Sequence, residues 1–121
     1  MQLSKSEEEL MNILWKQKKA LLKDLLEAYP EPRPATTTIA TLLKRMADKG
    51  FVAYTSQGRS REYYPLVKKK AYFSKQVNSL IKNFFNDSPG QFASFFTQAT
   101  DLSKAELEDL KKLIDDAIKK K

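Results

Sequence analysis

Thr37, Ala40, Thr41, Lys44 and, at the margin, Arg45 fall on one side of a helical wheel that turns by about 100° per residue. Ile39, Leu42, Leu43 and Met46 fall on the other side. The polar side has short hydroxyls and a methyl at its N-terminal end and cations toward its C-terminal end. Thr and Ala are short enough to let a helix approach base edges in a DNA major groove, and their methyls can touch thymine. Lys44 and Arg45 can neutralise phosphates. Thr36, Thr37 and Thr38 open the helix, where free backbone amides favour a phosphate. A Thr- and Lys-bearing helix face is usually just solvated, and it is the co-occurrence with a basic ribbon that favours DNA. Further on, Arg59 and Arg61 alternate onto one face of a ribbon, followed by Tyr63. A basic ribbon beside a basic helix can touch DNA backbone or minor groove. The same arginines could also be edge charges that prevent strand aggregation. Phe51, Tyr54, Tyr63, Tyr64 and Trp15 are assigned to packing.

The charge follows the same stretch. From Arg33 to Arg61 the cations are Arg33, Lys44, Arg45, Lys49, Arg59 and Arg61, and the acid is Asp48. Six minus one gives +5, out of a net +7 for the 121 residues. A surplus of that kind fits an anionic partner. The chain has no Cys and no His, which excludes disulfides, zinc fingers and Cys or His catalysis within it. Three glycines leave no room for a phosphate-cradling loop. Glu7 to Glu9 in a helix first turn and Asp115–Asp116 on a solvated face make no catalytic constellation, so no enzyme is expected. No cofactor, metal or small-molecule ligand is expected either. No apolar run approaches the roughly 20 residues that span a bilayer. Gln2, Leu3, Ser4 and Lys5 after Met1 do not read as a secretory signal, and a cytoplasmic location is the expectation.

These faces need elements to hold them. Ser4 with Glu7 reads as a capping box for a first helix, with Leu10, Met11, Ile13, Leu14 and Trp15 buried and an end near Gln17. Leu21, Leu22, Leu25, Leu26 and Tyr29 predict a short second helix, stopped by Pro30, Pro32 and Pro34. The third runs from Thr36 to about Lys49 with Gly50 as its C-terminal cap. Phe51–Thr55, a turn at Ser56–Gln57–Gly58 and a return over Arg59–Tyr64 predict a β-hairpin.

The lysine run Lys68–Lys70 marks a composition change. Beyond it Phe73, Val77, Leu80, Ile81 and Phe84 repeat at helical spacing. Ser88, Pro89 and Gly90 break that helix, and Phe92, Phe95 and Phe96 sit on another. Ser103 with Glu106 is a second capping box, followed by Leu107, Leu110, Ile114 and Ile118. That many apolar groups on a lone arm call for burial, worth about 1.5–3 kcal/mol per side chain. A second copy of the chain is the favoured partner, and folding back on the N-terminal unit is the alternative.

The blocks Ser6-Glu7-Glu8-Glu9-Leu10-Met11-Asn12-Ile13-Leu14-Trp15, Thr38 to Met46, Lys49-Gly50-Phe51-Val52 and Gly58-Arg59-Ser60-Arg61-Glu62-Tyr63-Tyr64-Pro65 together carry a family likeness. The chain resembles the penicillinase repressor family of bacterial winged-helix regulators, over nearly its whole length. The resemblance implies a mainly α fold. A winged helix-turn-helix over residues 1–66 (three helices plus a hairpin wing) would precede C-terminal dimerisation helices over 67–121. It implies a homodimeric repressor reading an inverted repeat, commonly with TACA and TGTA halves. Thr36, Thr37, Ala40, Thr41 and Arg45 would lie on the recognition helix, and Arg59 and Arg61 on the wing. Copper-responsive members use a C-terminal Cys-rich site, which a chain without Cys lacks. In β-lactam-responsive members a membrane sensor protease triggers cleavage after the Asn of an Asn-Phe pair. Phe95-Phe96 occupy that place here, so the Phe is kept and the Asn is not. A winged helix used for protein–protein contact with an acidic partner is the competing function.

Overall fold

The computed structural model describes residues 2–121. Its first helix, α1 (Lys5–Gln17), begins at the expected reciprocal cap. Ser4 Oγ accepts from the Glu7 N–H at 3.3 Å, and Glu7 Oε1 accepts from the Ser4 N–H at 2.7 Å. Leu10, Met11 and Leu14 are fully buried, and Ile13 and Trp15 pack against them. Lys18, in a positive-φ conformation, ends the helix and turns the chain.

A two-residue strand then intervenes, which the periodicity did not reveal. β1 (Ala20–Leu21) pairs antiparallel with a later strand, and only then does α2 (Leu22–Glu27) begin. The sequence reading ran the second helix from Leu21. The difference has a local cause: Asp24 Oδ2 accepts from the Leu21 N–H at 3.1 Å, which caps the helix there and leaves Leu21 extended. Two residues are also too few to show strand alternation.

Past the prolines, α3 (Thr36–Asp48) buries Ile39, Leu42, Leu43 and Met46, as its wheel predicts. It ends in a Schellman motif. The Gly50 N–H donates to Ala47 O and the Phe51 N–H to Met46 O, with Gly50 at φ 85°. β2 (Val52–Gln57) and β3 (Ser60–Pro65) form the hairpin, and the sheet order is β1-β3-β2. The pairing Gln57↔Ser60 makes the turn a two-residue Gly58–Arg59 loop, with Gly58 at φ 62°. Three helices and a winged hairpin are thus in place, on the mainly α winged-helix plan.

α4 (Lys69–Phe84) starts inside this first compact unit, which ends at Lys75. Tyr72 is buried, its ring edge-on to Phe51 at 5.7 Å. The Tyr72 hydroxyl accepts from the Leu3 N–H at 3.3 Å and donates to Glu8 Oε2 at 2.7 Å. The Trp15 indole N–H donates to Val67 O at 2.8 Å. Lys49 Nζ reaches Glu7 Oε1 at 2.7 Å, so the cap of α1 and the C-terminal end of α3 share one carboxylate.

The second unit, Gln76–Lys121, holds the rest of α4 together with α5 (Pro89–Ala99) and α6 (Lys104–Lys119). Ser88 caps α5 through Gln91 N–H, and Ser103 and Glu106 form the expected box on α6. Phe85 packs on Phe92 and Phe95 at 5.5 and 5.2 Å. Even so, no described residue of this unit is buried. Phe84, Leu113, Ile114 and Ile118 are each more than 59% exposed.

Glu7 is 2% exposed, and its Oε2 has no hydrogen-bond partner among the described residues. Burial works to raise the Glu7 pKa, but hydrogen bonds from Lys49 and Ser4 outweigh it, leaving the pKa below the ordinary glutamate value. A carboxylate depressed in this way stabilises the fold above the ordinary glutamate range and loses that contribution as pH falls through its folded value. Glu7→Gln is therefore expected to lower unfolding free energy by about 1–3 kcal/mol at neutral pH. The gap from wild type should shrink as the solution is acidified through the carboxylate range. Urea melts of both proteins at several pH values measure this, and a gap that does not change with pH would contradict it.

Candidate nucleic-acid interface

The outer face of α3 is bare. Thr36, Thr37, Thr38, Ala40, Thr41, Lys44 and Arg45 are all exposed, opposite the four buried residues of the same helix. Helix periodicity alone enforces this separation, because the inner stripe is taken up by the core. Ala35 caps α3 without a side-chain hydrogen bond, so the first-turn amides receive no side-chain cap. The Thr41 hydroxyl donates to Thr37 O at 2.9 Å, which commits its proton and leaves its oxygen as an acceptor. Thr37, Thr38, Thr41 and Arg45 line one shallow depression along the helix.

The cations differ in how freely they can meet an anion. Lys44 lies 3.6 Å from Asp48, but both side chains are well exposed, and such pairs are weak. Arg33 donates to the Tyr29 and Glu27 carbonyls at 3.3 Å each and sits 3.7 Å from Glu31. Lys49, part of the sequence surplus, is tied to buried Glu7. That pairing spans 42 residues of sequence, and no local pattern announces it. The basic surface exposed to an anion is thus Lys44, Arg45, Arg59 and Arg61, with Lys23 beside the last two.

The wing differs in detail from the expectation that Arg59 and Arg61 alternate along one strand. β2 continues through Gln57, so Arg59 sits in the turn, and only Arg61 and Tyr63 share a face of β3. The Arg61 guanidinium lies 4.3 Å from the centre of the Tyr54 ring. Tyr54 pairs across the ribbon with Tyr63, ring centres 5.6 Å apart. Tyr54 is 42% exposed and not a core residue, whereas Phe51 and Tyr63 are buried as expected. Hydrogen bonding with Tyr63, and the neighbouring Tyr54, raise the Arg61 pKa above its ordinary value.

Between the wing, α2 and the start of α3 lies an open groove of about 570 Å³. Thr36, Arg59, Ser60 and Arg61 line it together with Lys23, over an apolar floor of Leu21, Leu22, Leu26 and Tyr63. Lys23 was not singled out in the sequence. Its place on the groove depends on β1 pairing with β3, which brings the start of α2 beside the wing.

Of the apolar residues assigned to an arm, Phe73 belongs to the first unit, 5.9 Å from Trp15 and 5.1 Å from Tyr72. Val77, Leu80, Phe84, Phe95, Phe96, Leu107 and Ile114 are exposed on the second unit, and Ile81, Phe92 and Leu110 are half-buried there. Phe95 and Phe96 lie within helix α5. Among the described residues, no helix is long and apolar enough to cross a membrane.

Comparison with known proteins agrees with this layout. A sequence model of the family described as "Penicillinase repressor" matches residues 3–116. The methicillin resistance regulatory protein MecI of Mammaliicoccus sciuri is 28% identical, over 93% of each chain. The penicillinase repressor of Bacillus licheniformis is 23% identical, over 95% of this chain and 91% of that one. The solution structure of the DNA binding domain of the repressor BlaI superposes with a TM-score of 0.53 at 26% identity, covering 59% of this chain and 88% of that one.

The unequal freedom of the lysines has a direct readout. An amine-selective acylating reagent, followed by mass spectrometry, should modify Lys44 several-fold faster than Lys49. The Lys44 side chain is 80% exposed and the Lys49 side chain 28% exposed and ion-paired. Equal rates would mean that the Glu7–Lys49 pair does not persist in solution.

Proposed function

The chain belongs to the penicillinase repressor family, and we propose that it is a homodimeric, sequence-specific DNA-binding repressor. The family is one of transcriptional repressors, not of enzymes. One observation carries the reading: the exposed face of α3 from Thr36 to Arg45 begins at a groove that Thr36 lines together with Lys23, Arg59 and Arg61. A face with short side chains can lie close to base edges, while the flanking cations take phosphates on either side. Thr36, Thr37, Ala40 and Thr41 would meet bases, Lys44 and Arg45 the strand beyond, and Arg59 and Arg61 the backbone or minor groove. A protein-binding winged helix has no need of cations on these two elements.

Residues 1–66 would provide the reading head and 67–121 the dimerisation region. The exposure of Val77, Leu80, Phe84, Phe95, Leu107 and Ile114 supports a second copy as their cover. One winged helix offers few base contacts, so two linked copies on an inverted repeat with TACA and TGTA halves supply the specificity. Such a repressor works in the cytoplasm. Relief of repression by a membrane sensor protease would require cleavage near Phe95–Phe96, and that protease should shorten the purified chain. An intact chain after incubation would remove this part of the proposal.

The DNA reading is tested by fluorescence anisotropy with a labelled duplex carrying the inverted halves. Affinity should fall by about 10³-fold or more between about 50 and 200 mM salt. Arg45→Ala should weaken binding and reduce the salt slope by about one. Failure of the chain to bind any duplex at low salt would leave the protein–protein reading standing. Sedimentation should show a dimer at micromolar concentration, and Leu80→Glu with Ile114→Glu should shift it to monomer. A wild-type monomer would contradict the dimer.

A further inference from the structure

The wing presents its two arginines in different ways. Arg59 occupies the turn next to Gly58, at the tip of the ribbon. Arg61 lies against the face of Tyr54, 4.3 Å from the ring centre, although Tyr54 has no core to fill and is 42% exposed. The ribbon register produces this contact. Tyr54 is the direct cross-strand partner of Tyr63, and Arg61 stands two residues before Tyr63 on the same face, on the diagonal from Tyr54. Among the described residues no carboxylate is ion-paired with Arg61.

A guanidinium resting on a ring uses its flat face and leaves its in-plane N–H donors for other partners; Tyr63 engages part of the Arg61 edge, and the remaining donors can meet a second partner. An arginine side chain loses much rotamer freedom when a phosphate fixes it, and a platform that already restricts it reduces that loss on binding. Arg61 also lines the groove that contains Thr36, at the start of the recognition helix.

We propose that Tyr54 is a positioning residue, which holds Arg61 so that its remaining N–H donors meet a backbone phosphate entering the groove beside Thr36. Arg61, and not Arg59, is then the principal wing contact. This rests on the DNA-binding reading above and adds to it a division of labour within the wing.

The test is fluorescence anisotropy on the full chain, with a labelled duplex carrying inverted TACA and TGTA halves, over a range of salt. Tyr54→Leu should weaken binding about three- to tenfold while leaving the salt slope unchanged, because no charge is removed. Tyr54→Phe keeps the ring and should bind as wild type. Arg61→Ala should weaken binding more than Arg59→Ala and lower the slope by about one. In an Arg61→Ala background, Tyr54→Leu should add nothing further. Thermal melts establish that each variant is folded. A folded Tyr54→Leu that binds as tightly as wild type would overturn the positioning role, and so would an undiminished Tyr54→Leu effect in the Arg61→Ala background. A wild-type chain that binds no duplex would instead bring down the DNA reading, and this proposal with it.

Discussion

A helix of 13 residues supplies both four of the fourteen buried apolar residues described and a candidate recognition surface, and much else in the first unit follows from that constraint. With Ile39, Leu42, Leu43 and Met46 locked inward, the rotation of α3 about its axis is fixed, and the threonines, Ala40, Lys44 and Arg45 have only one direction to face. Its C-terminal end is held by Gly50 in a left-handed conformation and by Lys49 on the Glu7 carboxylate. Its N-terminal end has no side-chain cap, so it is open where a ligand would approach.

The local parts of this arrangement were legible in the sequence. Both capping boxes, the α3 wheel and the Gly50 stop depend on residues a few positions apart, and the structure shows each of them. The parts that were not legible depend on distant partners. Lys49 counted as a free cation because nothing near it in sequence points to Glu7. Tyr72 bonds Leu3 across 69 positions, so no window along the chain could reveal it. β1 is too short to alternate, and without it Lys23 had no reason to lie near the wing. The wing turn lies a step further along than Ser56–Gln57–Gly58, which places Arg59 in the loop and leaves Arg61 alone on the Tyr54 ring.

The two compact units follow different physical rules. In the first, apolar stripes from helices and sheet converge, and nine large side chains are almost fully withdrawn from water, Glu7 among them. In the second, three helices carry apolar residues at helical spacing yet enclose none of them, apart from the phenylalanine contacts around Phe85. The sequence reading anticipated this shortage of a second layer from the number of apolar side chains per residue of arm. The remedy of a second copy stays within the proposal.

The first unit does not stop where the composition changes. Val67 supplies the carbonyl that satisfies the Trp15 indole, and Tyr72 closes the edge of the core against Phe51 while bonding Leu3 and Glu8. The opening turn of α4 is therefore shared property, counted in the arm by its helix and in the head by its contacts. A chimaera that joins this head to a foreign arm at Pro65 would expose the flank of α1 and strand an indole N–H, so any successful graft must carry its own equivalent of Val67 and Tyr72. In this chain an exchange of arms is thereby restricted to junctions downstream of that root.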